Sequence, residues 1–401
     1  MKFGIFFELS VPRPLTREHE QLVYRNALEQ CRLADELGFE TVWAVEHHFL
    51  EEYSHCSAPE VFLTAVATST QNIRVGHGAV VCVPKMNHPI RVAERAAVLD
   101  ILSGGRLEVG TARASTWTEL GGFEVDPDTT KISWDEFVHL LPRLWTEERV
   151  AYQGATVSFP ERAVLPKPVQ DPHPPLWVTV TTPGTELDAA DRGIGCLGVA
   201  TASYQEQERR TLEYRKRIQQ CDPVSSVVND RVTTMNFLYC HEDDKVATDV
   251  GGRMFNTFGL LNGHLLWVRE VYPAAAYQSL ANLAPTPGGR GGDSPEERRP
   301  VPDGIAIGDP DKIVKAIKIW EEVGIDGINF VLNTTELIPQ EQVLDSLRLF
   351  AAEVMPHFAA HVAGPGAARS CRARSRCALR ADRGTGCSGR TRGSRCGPSL
   401  S

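Results

Sequence analysis

A chain of 401 residues, 42% of them hydrophobic and 23% charged, has the length of one large domain or two ordinary ones and ample material for a core. The net charge of −9 is unevenly spread: residues 364–401 hold nine Arg and one Asp, a surplus of +8, which leaves −17 on the rest. An acidic body excludes nucleic acid as the main partner, and the lack of an apolar run of about 18 residues excludes a membrane span.

The opening "MKFGIFFELS" reads as a strand over Lys2–Phe7 and turns polar too soon for a signal peptide, so a cytosolic protein is expected. In that reducing compartment Cys31, Cys56, Cys82, Cys196, Cys221 and Cys240 are expected to be free thiols, and the four cysteines of the tail lack the close pairing of a zinc module. No G-x-G-x-x-G follows the first strand; "FFELSVPRP" does, against a dinucleotide-binding sheet. Three stretches, "ADELGFETVWAVE", "AADRGIGCLGVA" and "WEEVGIDGINFVL", repeat one layout: a helix end, a glycine suited to the left-handed position, then an apolar run. Strands are predicted at 2–7, 40–45, 73–81, 106–110, 176–180, 195–200, 231–239 and 327–331. Eight such strands alternating with helices predict an α/β fold of the (β/α)8 TIM-barrel type, with insertions.

"TVWAVEHHFLEEYSHC" sets Glu46, His47 and His48 at the carboxyl end of the second strand, where barrel side chains enter the site. Taken alone the stretch leaves three readings open: a metal site, buried structural histidines, or an acid-base residue. The spacing through His55 and Cys56 matches no standard metal arrangement. Further on, "LSGGRLEVGTARAS" ends its strand on Arg113 between the small residues Ala112 and Ala114. There a guanidinium fork has room to grip a phosphate beside a flat ligand. "WVTVTTPGTELDAA" then delivers Thr181, Thr182, Gly184 and Thr185 at a helix start, where hydroxyls and amides bind anions.

Between these two strands a helix over Trp134–Trp145 and a hairpin around Gly154 are predicted. Residues 263–304 include "APTPGGRGGDSPEERRPVPDG", too rich in Gly, Pro and charge to pack by itself, and are expected to form a mobile insertion over the catalytic rim. Asp309 and Pro310 open a helix whose inner face is Ile313, Ala316, Ile317 and Trp320. After a last helix over Gln340–Phe358, the barrel domain is expected to end at 360. Residues 361–401, dominated by Arg, Gly, Ser and Cys, are expected to form a disordered basic tail.

"EHHF", "VPKMNHPIRVAERAAVLDILSGGRLEVGTARA", "LPKPVQDPHPPLWVTVTTPGT" and "GDPDKIVKAIKIWEEVGIDGINFVL" together resemble the bacterial luciferase-like flavin monooxygenase family over residues 1–360. The resemblance implies a barrel that uses reduced FMN from a separate flavin reductase, with O2 forming a flavin C4a-hydroperoxide that oxygenates a small organic substrate, and pairing as a homodimer. It implies His47 as the active-site histidine, with His48 and Glu46 as supports. It also implies Gly78 and Ala79 against the flavin ring, and Arg113, Thr182 and Thr185 at the phosphate, with Thr181 and Gly184 in the same loop. Two departures stand out. Ala112 replaces the reactive cysteine of bacterial luciferase, so light emission is not expected, and Thr181 replaces an acidic residue. Alternatives of other kinds are hydride transfer with a deazaflavin and a non-catalytic flavin-binding partner subunit.

Overall fold

The computed structural model describes residues 1–362 apart from 52, 115, 200–202 and 267–298. The first helix shows how the sequence builds each layer. In α1 (Arg17–Leu37), Thr16 caps the first turn by accepting from the His19 amide, and Val23, Ala27, Cys31 and Ala34 recur at helical spacing on the buried face. Gly38 closes it at φ 85°, and Gly193 (67°) and Gly324 (86°) sit in the same left-handed region in the other two repeats.

The strands are β1 (Lys2–Phe7), β2 (Thr41–Ala44), β3 (Arg74–Val81), β4 (Leu107–Ala112), a hairpin of β5 (Val150–Gln153) and β6 (Ser158–Arg162), then β7 (Leu176–Val180), β8 (Gly195–Val199), β9 (Val232–Cys240), β10 (Ala306–Gly308) and β11 (Gly327–Val331). Eight of them pair in parallel in the cyclic order β1, β2, β3, β4, β7, β8, β9, β11, and the β8–β9 pairing closes a TIM barrel. The short β10 adds to β9.

Outside the barrel the remaining helices are α2 (Pro59–Ser69), α3 (Pro89–Ser103), α4 (Trp117–Gly122), α5 (Thr130–Thr146), α6 (Thr185–Asp191), α7 (Tyr204–Ile218), α8 (Asp244–Leu266), α9 (Pro310–Val323) and α10 (Gln340–Leu349). Asp309 caps α9 through the Lys312 amide as its sequence predicts.

All eight predicted strands are present, three with the predicted bounds (Lys2–Phe7, Leu176–Val180 and Gly327–Val331) and five with shifted ends. β4 starts one residue later, the Arg106 N–H donating to Ser103 Oγ at the preceding helix end, and it runs on to Ala112. The last helix is α-helical only to Leu349, continuing as a π-turn and a 3-10 segment to Val362. The proposed insertion falls largely, and the basic tail almost wholly, outside the described residues.

Inward-facing side chains separate from the outer core. Phe6, Trp43, Trp177 and Leu197 form a cluster of their own inside the barrel, with Trp43 and Trp177 edge to face at 5.6 Å. Below them Glu108, almost wholly buried, accepts from Arg74, Arg231 and Trp177, and Arg231 lies over the Trp177 ring. A charge-paired plug therefore seals the amino-terminal end, and the open mouth is at the carboxyl ends of the strands.

Candidate active site

His47 continues the inward series of Trp43 and rises into the mouth. Its Nδ1 lies 2.9 Å from Glu119 Oε1, on α4, and its Nε2 lies 3.7 Å from Glu8 Oε2, just past β1. Glu119 is fully buried, holds Thr116 Oγ1 on its other oxygen, and takes the His48 amide at 3.1 Å. Burial alone would lower the proton affinity of His47, but the carboxylates of Glu119, Glu8 and Glu46 outweigh it and push its pKa up to about 9. The converse holds for Glu119: burial opposes its charge, yet His47 and three hydrogen bonds keep it below the usual carboxylate range. Glu8 differs. Burial dominates over the opposing His47 charge and the Tyr53 hydroxyl, and lifts it to about 7.

Glu46 points the other way along β2 and is not part of this cluster. Its Oε2 accepts the Val81 amide at 2.8 Å and its Oε1 accepts from Asn87 and faces His48 Nε2 at 3.2 Å. Glu46 thereby fixes the end of β3, where the register slips between His77 and Val80 and the Gly78–Ala79 peptide is cis. A Cβ on Gly78 would sit 3.2 Å from both Phe6 and Trp43, so glycine keeps this backbone low over the inner aromatic cluster. His77, Cys82 and His88 take structural places: His77 is buried, with its pKa pushed down to about 4 by burial, Cys82 is buried, and His88 caps α3. His55 faces Glu20 on the outside and Cys56 is buried, so the histidines and cysteine of this stretch do not converge. Among the described residues no group of three His, Cys, Asp or Glu side chains is arranged to hold a metal ion.

Across the mouth, β4 and β7 are neighbours with Thr111 opposite Val178. Two residues further on, Arg113 emerges half-buried, and among the described residues no carboxylate lies within ion-pair distance of it. On β7 Thr179 shares the inward face of Trp177, and its buried hydroxyl has no partner. Thr181 and Thr182 follow at the strand end. The amides assigned to an anion from sequence are engaged within the chain, which corrects that expectation: Gly184 N–H donates to Glu186 Oε2 at 3.0 Å and Thr185 N–H to the Thr182 carbonyl. Glu186 in turn receives two hydrogen bonds of 2.8 Å from Arg210, both residues buried. The loop therefore offers hydroxyls at the end of β7, the strand paired with the one that leads to Arg113, a donor set suited to a phosphate.

A family model described as luciferase-like monooxygenase matches residues 1–327. The chain belongs to the luciferase-like monooxygenase family. Among curated relatives, the oxygenase component of a flavin-dependent trigonelline monooxygenase from Acinetobacter baylyi is 24% identical over 89% of this chain and 96% of that one. The alkanal monooxygenase alpha chain of Photorhabdus luminescens is 28% identical over 48% of this chain and 52% of that one. Among solved structures, the monooxygenase RslO1 from Streptomyces bottropensis superposes with a TM-score of 0.72 at 27% identity, covering 89% of this chain and all of that one. The oxygenating constituent of 3,6-diketocamphane monooxygenase from Pseudomonas putida, solved with FMN, shares the fold at 16% identity, with a TM-score of 0.66 and coverage of 89% and 98%. An F420-dependent secondary alcohol dehydrogenase does so at 18% identity, with a TM-score of 0.64 and coverage of 88% and 98%.

As a luciferase-like monooxygenase the protein is an enzyme, and its mouth holds groups that sequence reading passed over. Glu8, Glu119, Tyr53, Thr179 and Arg210 stand out. Glu119 lies 72 residues from His47, in "WTELGGF", which reads as an ordinary helix start. Glu8 had a signal: an acidic residue at the inward position directly after an apolar strand.

Proposed function

We propose that this chain is the oxygenase component of a two-component monooxygenase that takes reduced FMN from a separate flavin reductase and uses O2 to oxygenate a small organic substrate. The observation that carries the reading is Arg113, a half-buried guanidinium with no carboxylate partner among the described residues, on the strand end next to the strand that carries the orphaned hydroxyl of Thr179. This donor set fits the phosphate of a flavin mononucleotide, with Thr181 and Thr182 completing it and the Gly78–Ala79 backbone offering a low, flat edge to its ring system. The names of the trigonelline and diketocamphane enzymes support the same reading.

Bound reduced flavin supplies the electrons that activate oxygen. Arg113 and the threonines orient it by its phosphate, and Phe6, Trp43 and Trp177 exclude water from beneath. His47 presents a protonated Nε2 to negative charge developing in the mouth, held in orientation by Glu119; Glu46 and His48 fix the wall behind it. Val61 on α2 and Val98, Ile101 and Leu102 on α3 are exposed apolar side chains, which supports a homodimer through these helices.

The deciding experiment is an anaerobic titration with reduced FMN and, separately, reduced F420, followed by aeration under 18O2 with candidate substrates. Tight binding of FMN and labelled product are expected. Preference for F420 and product without label would instead support the hydride-transfer alternative.

A further inference from the structure

Glu8 is the least accounted-for charged group in the protein. It is 6% exposed, its Oε1 accepts from Tyr53 Oη at 2.8 Å, and its main-chain carbonyl accepts from Ser54, yet Oε2 has no hydrogen-bond partner. That oxygen lies 3.7 Å from His47 Nε2, too long for a hydrogen bond but close enough for one further oxygen atom to touch both. On its other side Glu8 lines a cavity of about 30 Å³, room for one water, shared with Ser10, Gln30, Asn333 and Glu336.

His47 is placed badly for a base. Its Nδ1 is fixed on the fully buried Glu119 and a second carboxylate stands at Nε2, and both favour the imidazolium, which has no lone pair to accept a proton. The groups facing Glu8 are His47 and Glu119 across the mouth, Tyr53 and Cys56 from the loop after β2, and Glu336 across the cavity. Of these only His47 is cationic.

We propose that Glu8, and not His47, takes a proton from the substrate, and that the substrate presents there an acidic hydroxyl, a phenol or an enol, bound between Glu8 Oε2 and His47 Nε2. This deepens the oxygenase reading and rests on it. The substrate O–H bond breaks, its electron pair stays on the substrate oxygen, and the proton moves to Oε2, leaving an oxyanion facing the imidazolium. The resulting phenolate or enolate is the electron-rich partner that an activated oxygen atom attacks. The raised proton affinity of Glu8 suits an exchange near neutral pH, and the cavity behind it gives the proton a way out.

The test uses the full chain loaded with oxidised FMN, 4-nitrophenol as probe and 4-nitroanisole as its control. At pH 7, where Glu8 keeps a large carboxylate fraction, the wild-type protein is expected to bind 4-nitrophenol wholly with the absorbance of the phenolate and to prefer it over the ether at least tenfold. Glu8→Gln, which keeps an acceptor for Tyr53, should bind the probe about tenfold more weakly and in its neutral form. A wild-type protein that refuses the probe or keeps it protonated overturns the proposal, as does a Glu8→Gln variant that still ionises it. Nitrogen NMR of the His47 ring, on protein without flavin, should report imidazolium at pH 7; a neutral ring there also overturns it. The ring measurement needs no cofactor, so it fails separately from the reduced-FMN titration that judges the oxygenase reading.

Discussion

One oxygen of Glu119 accepts both the Nδ1 proton of His47, at 2.9 Å, and the main-chain N–H of His48, at 3.1 Å. Side chain and backbone of the loop after β2 are thus tied to one buried carboxylate that a helix supplies. Replacing it by Glu119→Gln keeps the shape and removes the charge. The pKa of His47 should then fall towards the ordinary imidazole value, readable in the same ring-nitrogen spectrum, and stability should fall by about 2–4 kcal/mol in urea unfolding, because a buried cation loses its main partner.

The same pair sets how stability depends on pH. The folded-state pKa of His47 is about 9 against a model value of 6.5, so its stabilisation is fully present below 6.5 and is lost as pH rises through 9. Glu8, raised from 4.5 to about 7, acts in the same direction and loses its contribution between those values. Glu119 opposes them only in acid, where its stabilisation fades as pH falls below the ordinary carboxylate range. Unfolding free energies measured by urea titration from pH 5.5 to 10 should decline on the alkaline side, by an amount on the order of 3 kcal/mol for His47 alone. In Glu119→Gln most of the decline between pH 6.5 and 9 should disappear.

For the cofactor, Arg113→Met keeps the length of the side chain and removes the fork. A hydrogen bond to a charged group contributes about 1.5–3 kcal/mol, so reduced FMN should bind about 10 to 100-fold more weakly to the variant. Riboflavin, which has no phosphate, should bind both proteins alike. Equal loss for both ligands would move Arg113 out of the phosphate pocket.

How much of this was legible in the sequence follows from the range of the interactions. The repeated helix, glycine and apolar strand are local patterns, and they gave all eight barrel strands to within a few residues. That His47 and Arg113 stand at strand ends was legible because the strands were; the roles given to them came from the family resemblance. Glu119 was not, since nothing within its own helix tells that its carboxylate turns back under a histidine 72 residues earlier. The amides of Gly184 and Thr185 were misjudged for a related reason: the sequence shows a helix start, but not that Glu186 bends back to accept from Gly184.

That last contact leads to a separable prediction. Arg210 and Glu186 form a buried two-bond pair behind the threonine loop, and Glu186 Oε2 also holds the Gly184 amide. Arg210→Met leaves a buried carboxylate unpaired and should cost about 3–5 kcal/mol. Combining it with Glu186→Leu removes both charges and should restore stability to within about 1–2 kcal/mol of wild type, since a buried pair contributes little over an apolar replacement. Affinity for FMN should not recover. The Gly184 amide has then lost its acceptor, and the loop carrying Thr181 and Thr182 is no longer held beside Arg113. A double variant with wild-type stability and weakened FMN binding would establish that the pair positions the loop; recovery of both together would reduce it to a packing element of α6 and α7.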